Sequence, residues 1–83
     1  MSFIDRMERK MASMTAMMDK AGVDIDRIAT SRHGLDLADA IRTCRACGAG
    51  DVCVDWLARA PEHVAHAPAF CPNAARFERL KAQ

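Results

Sequence analysis

Four cysteines are the residues of this sequence best suited to chemistry. Cys44, Cys47, Cys53 and Cys71 follow the spacing C-x2-C-x5-C-x17-C, and no other part of the chain concentrates reactive groups. Four thiolates can hold one Zn²⁺ ion or one iron–sulfur cluster. The spacing therefore predicts a single metal centre with these four residues as ligands.

The size of the chain makes such a centre useful. An 83-residue domain buries little apolar surface, so a metal or a cross-link would stabilise it substantially. The N-terminus has no apolar signal-peptide segment, and no stretch reaches the roughly 18 apolar residues of a membrane span. We expect a cytoplasmic protein, where cysteines are more often metal ligands than disulfides. Disulfides or free thiols are the third alternative, after an iron–sulfur cluster and a zinc site.

An amphipathic helix is predicted over residues 2 to about 21. Its apolar residues recur at steps of three and four, which is the period of one helix face; they are Ile4, Met7, Met11, Met14, Met18 and Ala21. Gly22 is placed to end the helix, and Val23 to contact its last turn. Methionine packs adaptably, so the face of Met7, Met11, Met14 and Met18 either covers the core or binds a partner or a second copy of the chain.

The first two cysteines lie near the end of a predicted helix. Asp24 can cap a short helix over residues 25–30 that presents Ile25 and Ile28, and residues 30–34 read as a turn. From Asp36 the helical period returns and directs Cys44 and Cys47 to one inward face. Asp24, Asp26, Asp36 and Asp39 are interpreted as part of a solvated surface.

The other two cysteines lie on either side of a loop. Gly48 and Gly50 end the preceding helix, and Asp51 is placed to cap the next one, which carries Cys53, Trp56 and Leu57 inward and ends at Pro61. Residues 61–70 form a loop. Pro72 suits the first position of a last helix carrying Ala74, Phe77 and Leu80. Cys71 would then sit at a helix N-terminus, where its thiol pKa is lowered.

These elements predict an all-α fold. We expect one domain over residues 1–83, a small bundle of four to five short helices around the four-cysteine site. Within it, residues 1–22 form the methionine-rich helix and residues 35–81 the four-cysteine module.

Part of this pattern resembles a known group of proteins. The residues Cys44-Arg-x-Cys47, Cys53, Trp56-Leu57 and Ala67-Pro-Ala-Phe-Cys71-Pro-Asn73-Ala-x-x-Phe77 resemble small alphaproteobacterial proteins that form a domain of unknown function. The resemblance covers residues 35–80. It implies one four-cysteine module and no particular activity.

The choice of metal stays open at this point. Cys-x-x-Cys-Gly is typical of a zinc knuckle, but such knuckles usually come as two Cys-x-x-Cys pairs on β-hairpins. The spacing C-x2-C-x5-C in a helical chain resembles the cluster loop of helical DNA-repair glycosylases, and Cys-Pro resembles bacterial ferredoxins. We expect a [4Fe-4S] cluster, with one Zn²⁺ as the alternative. Trp56, Leu57, Phe70 and Phe77 would exclude solvent from it.

Other functional classes have less support. Twelve basic and eleven acidic residues without a basic block argue against nucleic acid as a partner, and nothing indicates a membrane. The chain lacks a recognisable nucleophile–base set, so we do not expect an enzyme. His33, His63 and His66 are interpreted as surface residues because four cysteines already complete a tetrahedral set.

Two functional hypotheses follow. The first is a small iron–sulfur protein that serves as an electron carrier or as a redox or iron sensor. The second is a zinc-stabilised interaction module that binds its partner through the methionine-rich helix.

Overall fold

The computed structural model describes residues 3–82. Within them lie five α-helices, α1 (Phe3–Ala21), α2 (Ile25–Thr30), α3 (Leu35–Ala46), α4 (Gly50–Arg59) and α5 (Ala74–Arg79), and a 3₁₀ turn over Ser31–Gly34. The β-pairing in this part of the chain is limited to an isolated bridge between Val23 and Lys81. The predicted all-α fold class is confirmed.

Helix α1 ends as its sequence predicts; its predicted start at residue 2 lies outside the described residues. Gly22 adopts a left-handed φ of 76°. This lets the N–H groups of Gly22 and Val23 donate to the carbonyls of Asp19 and Met18 at 3.2 and 2.9 Å. The paired bonds satisfy two of the last carbonyls of the helix, and they leave the Val23 side chain buried in the core.

The methionines of α1 supply much of the core. Met14, Met17 and Met18 are buried, while Met7 and Met11 are half-buried. Met17 lies off the predicted face, but α1 contacts α3, α4 and α5, so a wider stripe of the helix is covered. The predicted partner face therefore has only Met7 and Met11 left at least partly exposed.

The core joins both ends of the chain. Its buried members are Met14, Met17, Met18, Val23, Ile28, Ala40, Phe77 and Leu80. The backbone N–H of Ala82 donates to the carbonyl of Gly22 at 2.8 Å, and that of Asp24 to Leu80 at 3.1 Å. The predicted methionine-rich helix and the four-cysteine module thus share one core.

Helix α2 and the turn after it agree with the prediction except at one residue. The Asp24 carboxylate accepts a hydrogen bond from the Arg27 N–H at 3.2 Å, which is the expected N-cap. Ile28 is buried, whereas Ile25 is 53% exposed, so α2 presents one isoleucine to the core and not two.

Two helix starts differ from the prediction. Helix α4 begins at Gly50 after Ala49, without a side-chain cap, so Asp51 lies in the first turn and does not cap it. Helix α5 begins at Ala74 and not at Pro72. Because a turn separates Cys71 from α5, this cysteine does not lie at the helix N-terminus.

Asp36 corrects the interpretation of the aspartates as surface residues. Its side chain is fully buried and accepts hydrogen bonds from the Ser31 hydroxyl at 2.5 Å, from Arg32 at 3.0 Å and from both terminal nitrogens of Arg79 at 3.1 and 3.2 Å. Arg76 Nε lies 3.7 Å away. We call these five residues the arginine clamp.

The clamp depends on an unusual backbone. Arg32, His33 and Gly34 have φ values of 54°, 59° and 87°, and the left-handed region is costly for residues other than glycine. This path brings Ser31 and Arg32 back against Asp36 at the start of α3. The Arg79 guanidinium and then the Ser31 hydroxyl hold the pKa of Asp36 far below its usual range, although burial opposes them.

No helix of the described part of the chain is long and apolar enough to cross a membrane.

Candidate metal centre

Each of the four cysteines comes from a different local environment. Cys44 lies in the last turn of α3, and Cys47 directly follows that helix. Cys53 lies in α4, and Cys71 ends the long loop before α5. All four are half-buried free thiols.

These four side chains line one small cavity between α1 and the rest of the fold. Its volume is about 30 Å³, and its walls are almost entirely apolar; besides the cysteines they are formed by Ser13, Met14, Met17, Phe70, Pro72, Asn73 and Phe77. All four predicted cysteines therefore face the same cavity. Helix α1, predicted within the same single domain, supplies part of the wall through Ser13, Met14 and Met17.

The four cysteines line the cavity but are not grouped at one point. As placed, no three Cys, His, Asp or Glu side chains of residues 3–82 are grouped closely enough to hold a single metal ion. The cysteines are nevertheless near enough to influence one another electrostatically. The four cysteines share a common apolar space, and we call them the cysteine ring.

Local hydrogen bonds orient three of the sulfur atoms. The N–H of Ala49 donates to Cys47 Sγ at 3.3 Å, which is the backbone contact expected of a Cys-x-x-Cys-Gly knuckle. The Cys44 thiol points to the carbonyl of Lys10 at 3.6 Å, and the backbone N–H of Asn73 donates to Cys71. Donors aimed at sulfur stabilise a thiolate once it forms.

The environment of the ring favours protonated thiols. Burial raises the pKa of the Cys44, Cys53 and Cys71 thiols, and neighbouring cysteines raise each of them further. The predicted lowering at Cys71 is wrong, because desolvation outweighs the hydrogen bond from Asn73. Metal ligands must be deprotonated, so a cation entering this ring would displace protons and bind more tightly as the pH rises.

Comparison with known proteins identifies the family of this chain. A family model, described as a family of unknown function (DUF6455), matches residues 1–83. The chain belongs to this family. No curated protein and no solved structure matches it. The match includes the methionine-rich helix, which lies outside the resemblance over residues 35–80, and it agrees with the packing of α1 against the cysteine ring.

Two further residues of this DUF6455 protein belong to the site but were not singled out from the sequence. Lys10 Nζ donates to the carbonyls of Arg45 and Cys47 at 2.8 and 3.0 Å, and so holds α1 against the end of α3. Its charge opposes the rise in the pKa of Cys44. Asn73 is buried, and its amide donates to the Ala40 carbonyl at 3.0 Å.

No local pattern marks Lys10, since lysines on exposed helix faces are common. For Asn73 the available signal was its position, two residues after Cys71 and within the family-like motif.

The aromatic residues and the histidines lie in different places relative to the cavity. Phe70 and Phe77 line the cavity, and Trp56 packs edge-on against Phe70 with ring centroids 6.3 Å apart. The histidines His33, His63 and His66 are exposed, as predicted. None of them lines the cavity.

Proposed function

We propose that this chain is a small, non-enzymatic iron–sulfur protein of the cytoplasm. In it the cysteines 44, 47, 53 and 71 hold one [4Fe-4S] cluster, which serves in electron transfer or in sensing of redox state or iron. The observation that carries the proposal is the cysteine ring, which lines one apolar cavity.

The ring fits a cluster better than a single ion in one respect. A tetrahedral Zn²⁺ needs four sulfurs about 2.3 Å from one point. A four-iron cluster binds each thiolate at a different corner. The four cysteines line one cavity, and no three Cys, His, Asp or Glu side chains of residues 3–82 are grouped as a single-ion site; this supports the cluster as the first candidate.

The chain's own residues would control the properties of such a centre. A bound cluster would supply one-electron chemistry. The side chains of Met14, Met17, Phe70 and Phe77 cover one side of the sulfurs, and the N–H groups of Ala49 and Asn73 donate to two of them. Solvent exclusion and hydrogen bonds to sulfur both change the reduction potential of an iron–sulfur centre.

A zinc-stabilised module is the second candidate, and the size of the cavity favours it. The cavity volume is about 30 Å³, and a single Zn²⁺ ion needs less space between the cysteines than a four-iron cluster does. In this case the metal would hold the fold, and the chain would act through a partner.

Protein purified without oxygen and without added metal tests both candidates. The cluster predicts a brown protein with broad visible absorption and about four irons and four labile sulfides per chain. A colourless protein with one zinc would replace the first candidate by the second. Protein without bound metal that still melts cooperatively would contradict both.

A further inference from the structure

The strongest feature outside the cysteine ring is a concentration of positive charge beside it. One surface groove is lined by cations of α1 and by three of the cysteines, Cys44, Cys47 and Cys53. A neighbouring groove runs between α1 and the end of α3. Together the two grooves contain five cations, which we call the basic rim: Arg6, Arg9, Lys10, Arg42 and Arg45.

Three cations of the rim are available to a partner. Lys10 is engaged with backbone carbonyls, and Arg42 forms an ion pair with Asp39. Arg6, Arg9 and Arg45 are exposed. They take no part in the ion pairs of Asp36, Asp39, Asp55 and Glu78. Guanidinium groups bind carboxylates through two parallel hydrogen bonds.

The rim is a local property and does not reflect the charge of the whole chain. The net charge is +1, from twelve basic and eleven acidic residues. The residues that line the two grooves include the five cations and one carboxylate, Asp51. In the rest of the chain, acidic residues therefore outnumber Lys and Arg. Segregation of charge on this scale directs association and sets orientation more than it adds affinity.

We propose that the basic rim is the docking surface for an acidic protein. A protein bound there would lie over the side of the metal centre that the cysteine sulfurs line. Met7, Ala46 and Val54 add apolar surface beside the basic rim in the same two grooves. Arginine combined with methionine and other apolar contacts is typical of protein interfaces. A nucleic-acid surface is less well matched, because such surfaces carry a larger excess of positive charge.

Docking at the basic rim does not depend on which metal the centre holds. Both functional candidates require a partner, and the rim would place that partner at Cys44, Cys47 and Cys53. It also gives the exposed part of the methionine face a role, since Met7 lies in the same groove as Arg45.

The test uses a fluorescein-labelled 12-residue peptide of Glu and Gly as a mimic of an acidic protein surface. Fluorescence anisotropy is measured with the full chain near 0.1 M ionic strength. The double variant Arg6→Glu, Arg9→Glu should weaken binding about tenfold or more, since it reverses two charges at the contact. The matched control Arg27→Glu, Arg59→Glu changes the net charge equally on exposed residues outside the rim, and should stay within about twofold of the unchanged chain.

Several outcomes would overturn the proposal. Equal weakening in both double variants would show that only net charge matters, and no measurable binding by the unchanged chain would leave the rim without this partner. Displacement of the peptide by inorganic phosphate at constant ionic strength, or tighter binding of a 12-base-pair DNA duplex than of the peptide, would assign the rim to another ligand. Metal content is measured on every sample, so loss of the centre and loss of docking are recorded separately.

Discussion

The arginine clamp and the cysteine ring solve the problem of burying ionisable groups in opposite ways. The Asp36 carboxylate is fully buried and is surrounded by cations from its own chain, chiefly Arg79. The four thiols share an apolar cavity, and burial and mutual repulsion raise the pKa of three of them. The chain therefore supplies the counter-charge at the clamp, whereas the thiols of the ring are favoured in the protonated form.

This difference assigns a separate role to each region. The clamp joins the start of α3 to α5 through contacts 43 residues apart in sequence, so it should stabilise the fold with or without metal. The ring joins α3, α4 and the loop before α5, and a bound metal would complete it. Asn73 belongs to both regions, because it lines the cavity and accepts a hydrogen bond from Arg76 at 2.5 Å.

The largest effect is expected when the ring is broken. Cys53→Ser should lower metal occupancy to a small fraction and lower the melting temperature at the same time, because binding and folding are coupled in a domain of this size. Metal analysis and thermal unfolding by circular dichroism measure the two effects. Thr43→Ser, a half-buried site beside Cys44, is the control. Full occupancy in the Cys53 variant would refute the four-ligand ring.

The second effect concerns the clamp alone. Asp36→Asn removes the charge that Arg32 and Arg79 share, and a buried network left without one partner is strongly destabilised. Its melting temperature should fall well below that of Asp26→Asn, whose carboxylate is exposed. The variant should still bind metal at temperatures where it is folded. If folded Asp36→Asn protein bound no metal, the two regions would not be independent.

The clamp also predicts how stability depends on pH. The folded-state pKa of Asp36 lies below its value of about 3.9 in an unfolded chain. The stabilisation is therefore fully present above about pH 4 and is lost as the pH falls below that toward the folded-state pKa. Urea unfolding of metal-free protein between pH 7 and pH 3 measures it.

The expected result is a stability gap between the unchanged chain and Asp36→Asn that narrows below about pH 4. Hydrogen bonds from Lys81 and His66 also hold the pKa of Glu78 low, so both proteins should lose some stability in acid. A gap that stayed constant down to pH 3 would contradict the assignment to Asp36.

The smallest effect is expected at the residue that links the regions. Asn73→Ala leaves the Ala40 carbonyl without its side-chain donor, and an unsatisfied buried group costs about 1–3 kcal/mol. Metal affinity should fall modestly, since the backbone N–H that donates to Cys71 is retained. Urea unfolding and a metal-competition titration measure the two changes. Unchanged stability would show that Asn73 does not connect the clamp to the ring.

Local features of the chain were predictable because their causes lie within a few residues. The helical period identified α1, and Gly22 and Asp24 ended one helix and began the next as expected. The cysteine spacing predicted a set of four ligands, and all four cysteines line one cavity; their role as metal ligands stays a prediction. The histidines, interpreted as surface residues because four cysteines complete a tetrahedral set, are exposed.

Features that depend on distant residues were either not predicted or predicted wrongly. The local sequence of Asp36 is that of an exposed first-turn aspartate, and its burial depends on Arg79, which lies far along the chain. Lys10 reaches the end of α3 from another helix. The direction of the pKa change at Cys71 was wrong because the start of α5 was misplaced by two residues and the packing that desolvates the thiol was unknown.

The sequence by itself determined the helices, their stops and the identity of four potential ligands, since periodicity and capping act over one or two turns. The tertiary structure decided that the four cysteines line one apolar cavity, that α1 forms part of its wall, and that the chain neutralises Asp36 internally. Those properties arise from desolvation and charge pairing between segments that meet only after folding, and no local pattern specifies them.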